Sequence, residues 1–264
     1  MWRWLLSLLF VPAILYATTV VWAGRPPPLE VRRVTPVTLP EPRDLPELLA
    51  RLDAWVDREV PLHHATLRPG VTDAALDAFE ARQGVTLPPA LRALYRWHDG
   101  GDLFGLQFLR LSHLELNRVS WAELAAEGIT DLDGVVVSHP PGAIRPLYAT
   151  GDWLPFLHDG GGNHVALDLH PGPAGRVGQV ITTGPDEEDR YVLAPDLEAF
   201  LRKYLRRLES GRVTVRRLSG FSDEVWQVRL QEPGGNAPEG YRVLADLFPA
   251  FGAAPHHMHA DRPW

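Results

Sequence analysis

A chain of 264 residues with 45% hydrophobic content can bury a sizeable core, which excludes disorder throughout and allows one large or two small domains. The formal charge of −7 combines both signs, so no global basic field exists to draw the chain to nucleic acid. The absence of cysteine removes disulfides, thiolate catalysis and cysteine metal sites together.

Residues 4–24 carry no charge, and Leu5, Leu6, Leu8, Leu9, Phe10, Val11, Ile14, Leu15, Val20 and Val21 make the stretch apolar on every face. About 20 such residues span a bilayer, and Trp2, Trp4 and Trp22 stand where interfacial aromatics are favoured. Residues 1–24 are therefore expected to be a single-pass transmembrane anchor or a signal peptide. The run exceeds the roughly 7–15 apolar residues of a signal peptide, which favours the retained anchor. Arg25, Arg32, Arg33 and Arg43 follow the segment and only Arg3 precedes it, so the positive-inside count favours a cytoplasmic domain. A cleaved segment would instead leave the domain exported. Residues 25–44 hold Pro26, Pro27, Pro28, Pro36, Pro40 and Pro42 and read as a semi-extended linker on which the domain stands off.

The folded part begins with a helical stripe, Leu45, Leu48, Leu49, Leu52, Trp55 and Val56. A second helix runs from a Thr72 cap to a Gly84 stop, and Pro88-Pro89 opens a third through Trp97. Three helices thus precede the sheet. Residues 104–111 read as a strand, 121–127 as a short helix, and 134–138 and 145–149 as two more strands. Two apolar runs, 153–157 and 165–169, flank Asp159, Gly160, Gly161, Gly162 and Asn163 and read as a hairpin. A further strand at 177–182 precedes a helix carrying Leu197, Phe200, Leu201, Tyr204, Leu205 and Leu208, which Gly211 ends. The fold class expected is α+β: an antiparallel sheet of five to six strands with packed helices over 45–211. Residues 212–264 read as a C-terminal extension.

No GxSxG elbow, P-loop, HExxH or GxGxxG occurs. His256, His257, His259 and Asp261 have poor spacing for a preformed metal site, because adjacent histidines point apart. Asp159, Asn163 and Asp168 lack the alternating acidic pattern of a calcium loop. Asp159 and Asn163 then shape the turn, and Asp168 accepts hydrogen bonds at a strand end. His98 is favourable at a helix C-terminus. Arg202, Lys203, Arg206 and Arg207, with Arg212, Arg216 and Arg217, form a basic cluster. It reads as a solvated helix face or as a patch for an acidic partner or anionic lipid. Neither a metal, a cofactor, a small-molecule substrate nor catalysis is expected.

Trp153 to Phe156 (WLPF), the glycine-rich acidic loop, Asp168 in ALDL, Gly175 and Gly178 before QVI, and the closing helix occur in one order. Upstream stand DAALDAFEARQG, LPPALRALYRWHDGG and FGLQFLRLSHL. Over residues 72–211 this order resembles the SUKH superfamily, which includes the fungal Smi/Knr cell-wall synthesis regulator and many bacterial immunity proteins. The resemblance implies a single SUKH-like domain in which Trp153 anchors the sheet against the helices. It also implies a non-catalytic protein-binding module of immunity type or regulatory type, whose partner is a toxin or an envelope component; residues 4–24 are expected to hold it at the membrane. An envelope scaffold or regulator of wall synthesis is the alternative, and a hydrolase with an unrecognised site is the third reading. Recognition usually sits on loops carried by a rigid scaffold, which singles out Trp97, His98, Asp99, Asp159, Asn163 and His164 as contact residues.

Overall fold

The computed structural model describes residues 30–128, 135–219, 224–231 and 243–255. The apolar stretch at 4–24 and the histidines at 256, 257 and 259 lie outside the described residues. Among the described residues, no helix is long and apolar enough to cross a membrane.

Strand β1 (Glu30–Arg33) comes first, inside the stretch read as linker. Helix α1 (Leu45–Glu59) starts where the Asp44 carboxylate accepts from Glu47 N at 2.9 Å, and buries Leu48, Leu49, Leu52, Trp55 and Val56. A one-turn helix α2 (Pro61–His64) follows. Thr72 caps α3 (Asp73–Gln83), and Gly84 ends it at φ +60, a backbone state that glycine adopts without strain. Helix α4 (Pro89–Trp97) inserts Leu91, Leu94 and Tyr95 into the core. Four helices therefore precede the large sheet, not three, because the prolyl turn at Pro61 closes one more.

The stretch expected as one strand at 104–111 is instead a hairpin. Phe104 and Gly105 both take positive φ and turn the chain between β2 (Gly101–Leu103) and β3 (Leu106–Phe108). Leu111 already opens α5 (Leu111–Ala126), longer than the expected 121–127 helix because Arg118 ties its middle down. The Arg118 guanidinium donates to Gly151 O at 2.6 Å and to Gln83 O at 2.8 Å. Then come β4 (Val137–His139), β5 (Trp153–His158), β6 (His164–Asp168), β7 (Gln179–Thr183), β8 (Asp189–Ala194), α6 (Leu197–Glu209), β9 (Val213–Ser219), β10 (Glu224–Leu230) and a 3-10 turn at Leu244–Leu247.

The large sheet has seven strands in the order β2-β3-β5-β6-β7-β8-β4, rather than five or six. All its pairs are antiparallel except β4 with β8, so the sheet is mixed. The hairpin split adds one strand, and β8 adds another where the sequence reading had none, against the one lost at 145–149. The long connection from β4 to β8 allows the parallel pairing, which tight turns forbid. No strand forms at 145–149; that stretch lies over the sheet, where Ile144 and Leu147 meet Trp153 and Ile181. A second, three-stranded sheet, β1-β9-β10, joins the strand before α1 to the two strands after α6.

Strand alternation separates two apolar clusters. Val165, Leu167 and Val180 face the main core with the stripes of α1, α3, α4 and α6. Ala166 and Ile181 face a smaller cluster with Trp153, Ala143 and Ile144, backed by Trp121 of α5. Trp153 therefore anchors the sheet to α5, on the face opposite the main helices. The residues after 211 are not peripheral: Val213, Val215, Val228, Leu230, Phe248 and Phe251 belong to the main core.

One close approach makes a test of this packing. A Cβ built on Gly175 would stand 2.1 Å from Ala143 O and 2.7 Å from Pro171 Cβ. Gly175→Ala is expected to cost about 1–3 kcal/mol through overpacking. A thermal melt reads this as a fall of about 2–4 °C per kcal/mol.

Candidate functional site

Helices α1 and α4 pack with a groove of about 680 Å³ between them. Pro46, Leu49, Ala50 and Asp53 line it from α1, and Ala93, Arg96, Trp97 and His98 from the end of α4. The small side chains Ala50 and Ala93 leave the hollow, and Trp97 forms a half-buried wall. The Trp97 ring leans on His98, centroid to centroid 4.4 Å.

His98 ends α4, its backbone N–H donating to Leu94 O at 3.0 Å. Its two ring nitrogens both face acceptors: Nδ1 lies 2.9 Å from Arg68 O and Nε2 2.9 Å from Asp53 Oδ1. His64 approaches the same carboxylate, Nε2 to Asp53 Oδ1 3.4 Å. Burial pushes the Asp53 carboxyl up, but the hydrogen bonds from His98 and His64 outweigh it and hold the group below its ordinary value. The groove thus joins an apolar floor to an ionised carboxylate and an oriented imidazole. It can seat an apolar side chain or a short helix and hydrogen-bond a polar neighbour; its lining holds no serine, threonine, cysteine or lysine. Among the described residues, no cluster of three or more His, Cys, Asp or Glu side chains could hold a metal ion.

The remaining contact residues expected from sequence lie elsewhere. Asp99 turns inward, its Oδ1 accepting from Leu111 N at 2.7 Å, and so holds the start of α5. At the β5–β6 turn, Asp159 Oδ1 accepts from Gly161 N at 2.7 Å and Asn163 N at 3.0 Å, and its Oδ2 accepts from Asn163 Nδ2 at 2.8 Å. The Asn163 side chain also accepts from Asp186 N at 3.1 Å, tying this turn to the β7–β8 turn. Asn163 and His164 were expected on an exposed loop, yet are only 6% and 3% exposed. The turn is shorter than the sequence suggested, because β6 already begins at His164. The His164 ring stands perpendicular to Trp121, centroids 4.9 Å apart, and burial, with repulsion from His158, lowers its pKa to about 4. Among the described residues, no hydrogen bond or ion pair joins the Asp159 turn to the Trp97–His98 groove.

The motif residues Asp168 and Gly178 meet at the far end of the hairpin. Asp168 accepts from His170 N and from Gln179 Nε2, both at 3.1 Å, and burial raises its carboxyl above the usual range. Gly178 takes φ +83 and donates its N–H to Asp168 O at 2.7 Å.

Three participants escaped sequence reading. Asp53 joins His98 across 45 positions, and its place on the polar side of α1 gave no sign of this. Arg190 is fully buried, with its guanidinium 5.0 Å over the Trp153 ring. Glu187, 1% exposed, accepts from Leu244 N at 2.6 Å and so docks the 3-10 turn. A charged residue inside a turn looks solvated until the fold closes over it.

Residues 70–203 match the model of the SMI1 / KNR4 family (SUKH-1). The chain is 33% identical over 207 residues to the cell wall biosynthesis/cell cycle regulator smi1 of Schizosaccharomyces pombe, covering 71% of this chain and 41% of that protein. It is 26% identical over 199 residues to the cell wall assembly regulator SMI1 of Saccharomyces cerevisiae, covering 61% and 39%. Identity to the glucan synthesis regulatory protein of Neurospora crassa is 29% over 203 residues, covering 61% and 38%. The match thus spans about 40% of the length of these curated relatives. Matched over half its length by the family model and folded as one α+β core, the chain belongs to the SMI1/KNR4 (SUKH-1) family.

Proposed function

We propose that this protein is a regulatory protein-binding module in cell-wall synthesis, and that the α1–α4 groove seats its partner. The observation that carries the reading is the groove itself: a tryptophan wall, an alanine-floored hollow and the Asp53–His98 pair stand together on adjacent helices. Tryptophan dominates binding energy at protein interfaces, and a groove between helices suits an apolar anchor residue. The names of the relatives favour wall-synthesis regulation over neutralising a toxin, and they describe regulators, not enzymes. The apolar stretch at 4–24 adds a membrane location to this proposal, since regulation of the wall takes place at the cell envelope.

Affinity capture with the full chain tests it, comparing the wild type with Trp97→Ala and with Ala50→Arg, which fills the exposed hollow. Trp97→Ala is expected to cost a true partner about 2 kcal/mol or more, roughly thirtyfold in affinity. Ala50→Arg should abolish capture while leaving the melting temperature unchanged. Wall-synthesis components among the captured proteins favour the regulatory reading, and a toxin would favour the immunity reading. Retention of every partner at unchanged affinity by both variants would remove the groove from consideration.

A further inference from the structure

The stretch read from sequence as a stand-off linker is docked for most of its length. Strand β1 pairs with β9 from Glu30 onward. Val37 N donates to Glu209 O at 2.7 Å, Arg51 donates to Pro40 O at 2.6 Å, and Arg202 to Pro42 O at 2.7 Å. The chain between the end of the apolar stretch at Gly24 and the first residue of β1 therefore spans six Cα steps, at most about 20 Å when fully extended. If residues 4–24 lie in a bilayer, the β1 edge of the domain is held at its surface.

That edge is basic. Lys203, Arg206, Arg207, Ser210 and Arg212 line a concavity of about 480 Å³, with no acidic side chain in the lining. Burial, and then repulsion from Arg207 and Arg206, lowers the pKa of the Lys203 ammonium, as expected where cations crowd together. Arg206 and Arg212 are exposed; Arg206 keeps one pair, at 3.6 Å, with Glu41, itself exposed. The β1–β9 register sets exposed Arg33 opposite Thr214, two residues from Arg212 and on the same side of the small sheet. Val31, 53% exposed, shares that side, while Thr214 beside it is buried. Glu30 falls on the opposite side, so the acid of this strand is turned away.

We propose that Arg206, Ser210 and Arg212, with Arg33 at the rim, form a binding site for anionic lipid headgroups that lays the domain against the bilayer; Lys203, which donates to Ala250 O, and Arg207, which donates to Gln231 O and Pro249 O, add positive charge behind them. The proposal rests on the membrane reading of residues 4–24. Guanidinium groups match phosphoryl oxygens bidentately, and the Ser210 hydroxyl supplies a neutral donor. Each cation near an anionic leaflet contributes about fivefold in affinity, so replacing two by acids is expected to weaken binding by well over about tenfold.

The experiment uses the full chain with neutral phosphatidylcholine vesicles, with vesicles containing phosphatidylserine, and with inorganic phosphate alone. It reads flotation and the hydrogen exchange of β1, α6 and β9. Neutral vesicles should float the chain without protecting these elements, and phosphatidylserine should add protection that salt reverses. The variant Arg206→Glu/Arg212→Glu should lose that protection, with Arg206→Gln/Arg212→Gln as a milder replacement should the first fail to fold. If neutral vesicles do not float the chain, the membrane reading fails. The headgroup site is then still decided by whether phosphatidylserine vesicles bind the wild type at least about tenfold more tightly than the variant. Equal behaviour with and without phosphatidylserine, equal behaviour of wild type and variant, or full protection by inorganic phosphate alone would each overturn the proposal.

Discussion

Phe248→Ala is expected to lower the stability of the whole domain by about 3–5 kcal/mol, the cost of emptying a fully buried aromatic site. Phe248 lies far beyond the family-matched region, yet its ring stands 5.3 Å from Phe200 and 5.7 Å from Phe251, and both Phe248 and Phe251 are fully buried. Phe200, on α6, also meets Phe104 at 5.8 Å and Phe156 at 6.1 Å, so the last segment completes a cluster that reaches the large sheet. Edge-to-face pairs of this kind add to the area they bury. Urea unfolding measures the loss. A fragment of residues 45–211 should accordingly fail to unfold cooperatively, since it lacks β1, β9, β10 and both phenylalanines. A loss within about 0.5 kcal/mol for Phe248→Ala, the range of surface substitutions, would mean that the segment is an appendage after all.

Stability should fall on both sides of mild acidity, through two buried groups acting in opposite directions. Burial raises the Glu187 pKa from 4.5 to about 8, with the nearby acids Asp159 and Asp246 adding to the shift and the bonds from Leu244 N and Thr182 opposing it. A raised folded-state pKa gives stability that is fully present below 4.5 and lost as pH rises through about 8. His164 is lowered from 6.5 to about 4, so its contribution is present above 6.5 and lost as pH falls through about 4. Between 4.5 and 6.5 the two slopes oppose each other, and above 6.5 only the Glu187 slope remains. At about 1.4 kcal/mol per pKa unit, the loss between pH 6.5 and about 8 is on the order of 2 kcal/mol. Glu187→Gln keeps an acceptor for Leu244 N and cannot ionise; its melting temperature should stay level from pH 6.5 to 8.5 where the wild type falls by roughly 4–8 °C, at about 2–4 °C per kcal/mol. His164→Phe should flatten the acid side only. Parallel pH profiles for wild type and Glu187→Gln would show that the carboxyl is not held neutral by the fold.

Local signals in the sequence determined much of the protein. The α1 and α6 stripes, the Thr72 cap, the Gly84 stop and the β5–β6 hairpin depend on periodicity and turn chemistry within a few residues, and the structure has them where the spacing puts them. The family was legible for the same reason, because its motifs are contiguous and occur in order. Other features depend on partners distant in the chain. Val31 and Arg216 are a cross-strand pair 185 positions apart, and neither EVRR nor VTVRRLS announces the other. Asp53 meets His98, Arg51 meets Glu209, and Glu187 meets Leu244 only because the helices and the chain ends close over one core. Side-chain periodicity reports which face of an element is buried, but not what buries it. The extent of the core, the docking of residues 34–42, the burial of His164 and the assembly of the groove were therefore decided by tertiary packing, where burial and long-range hydrogen bonding outweigh local preference.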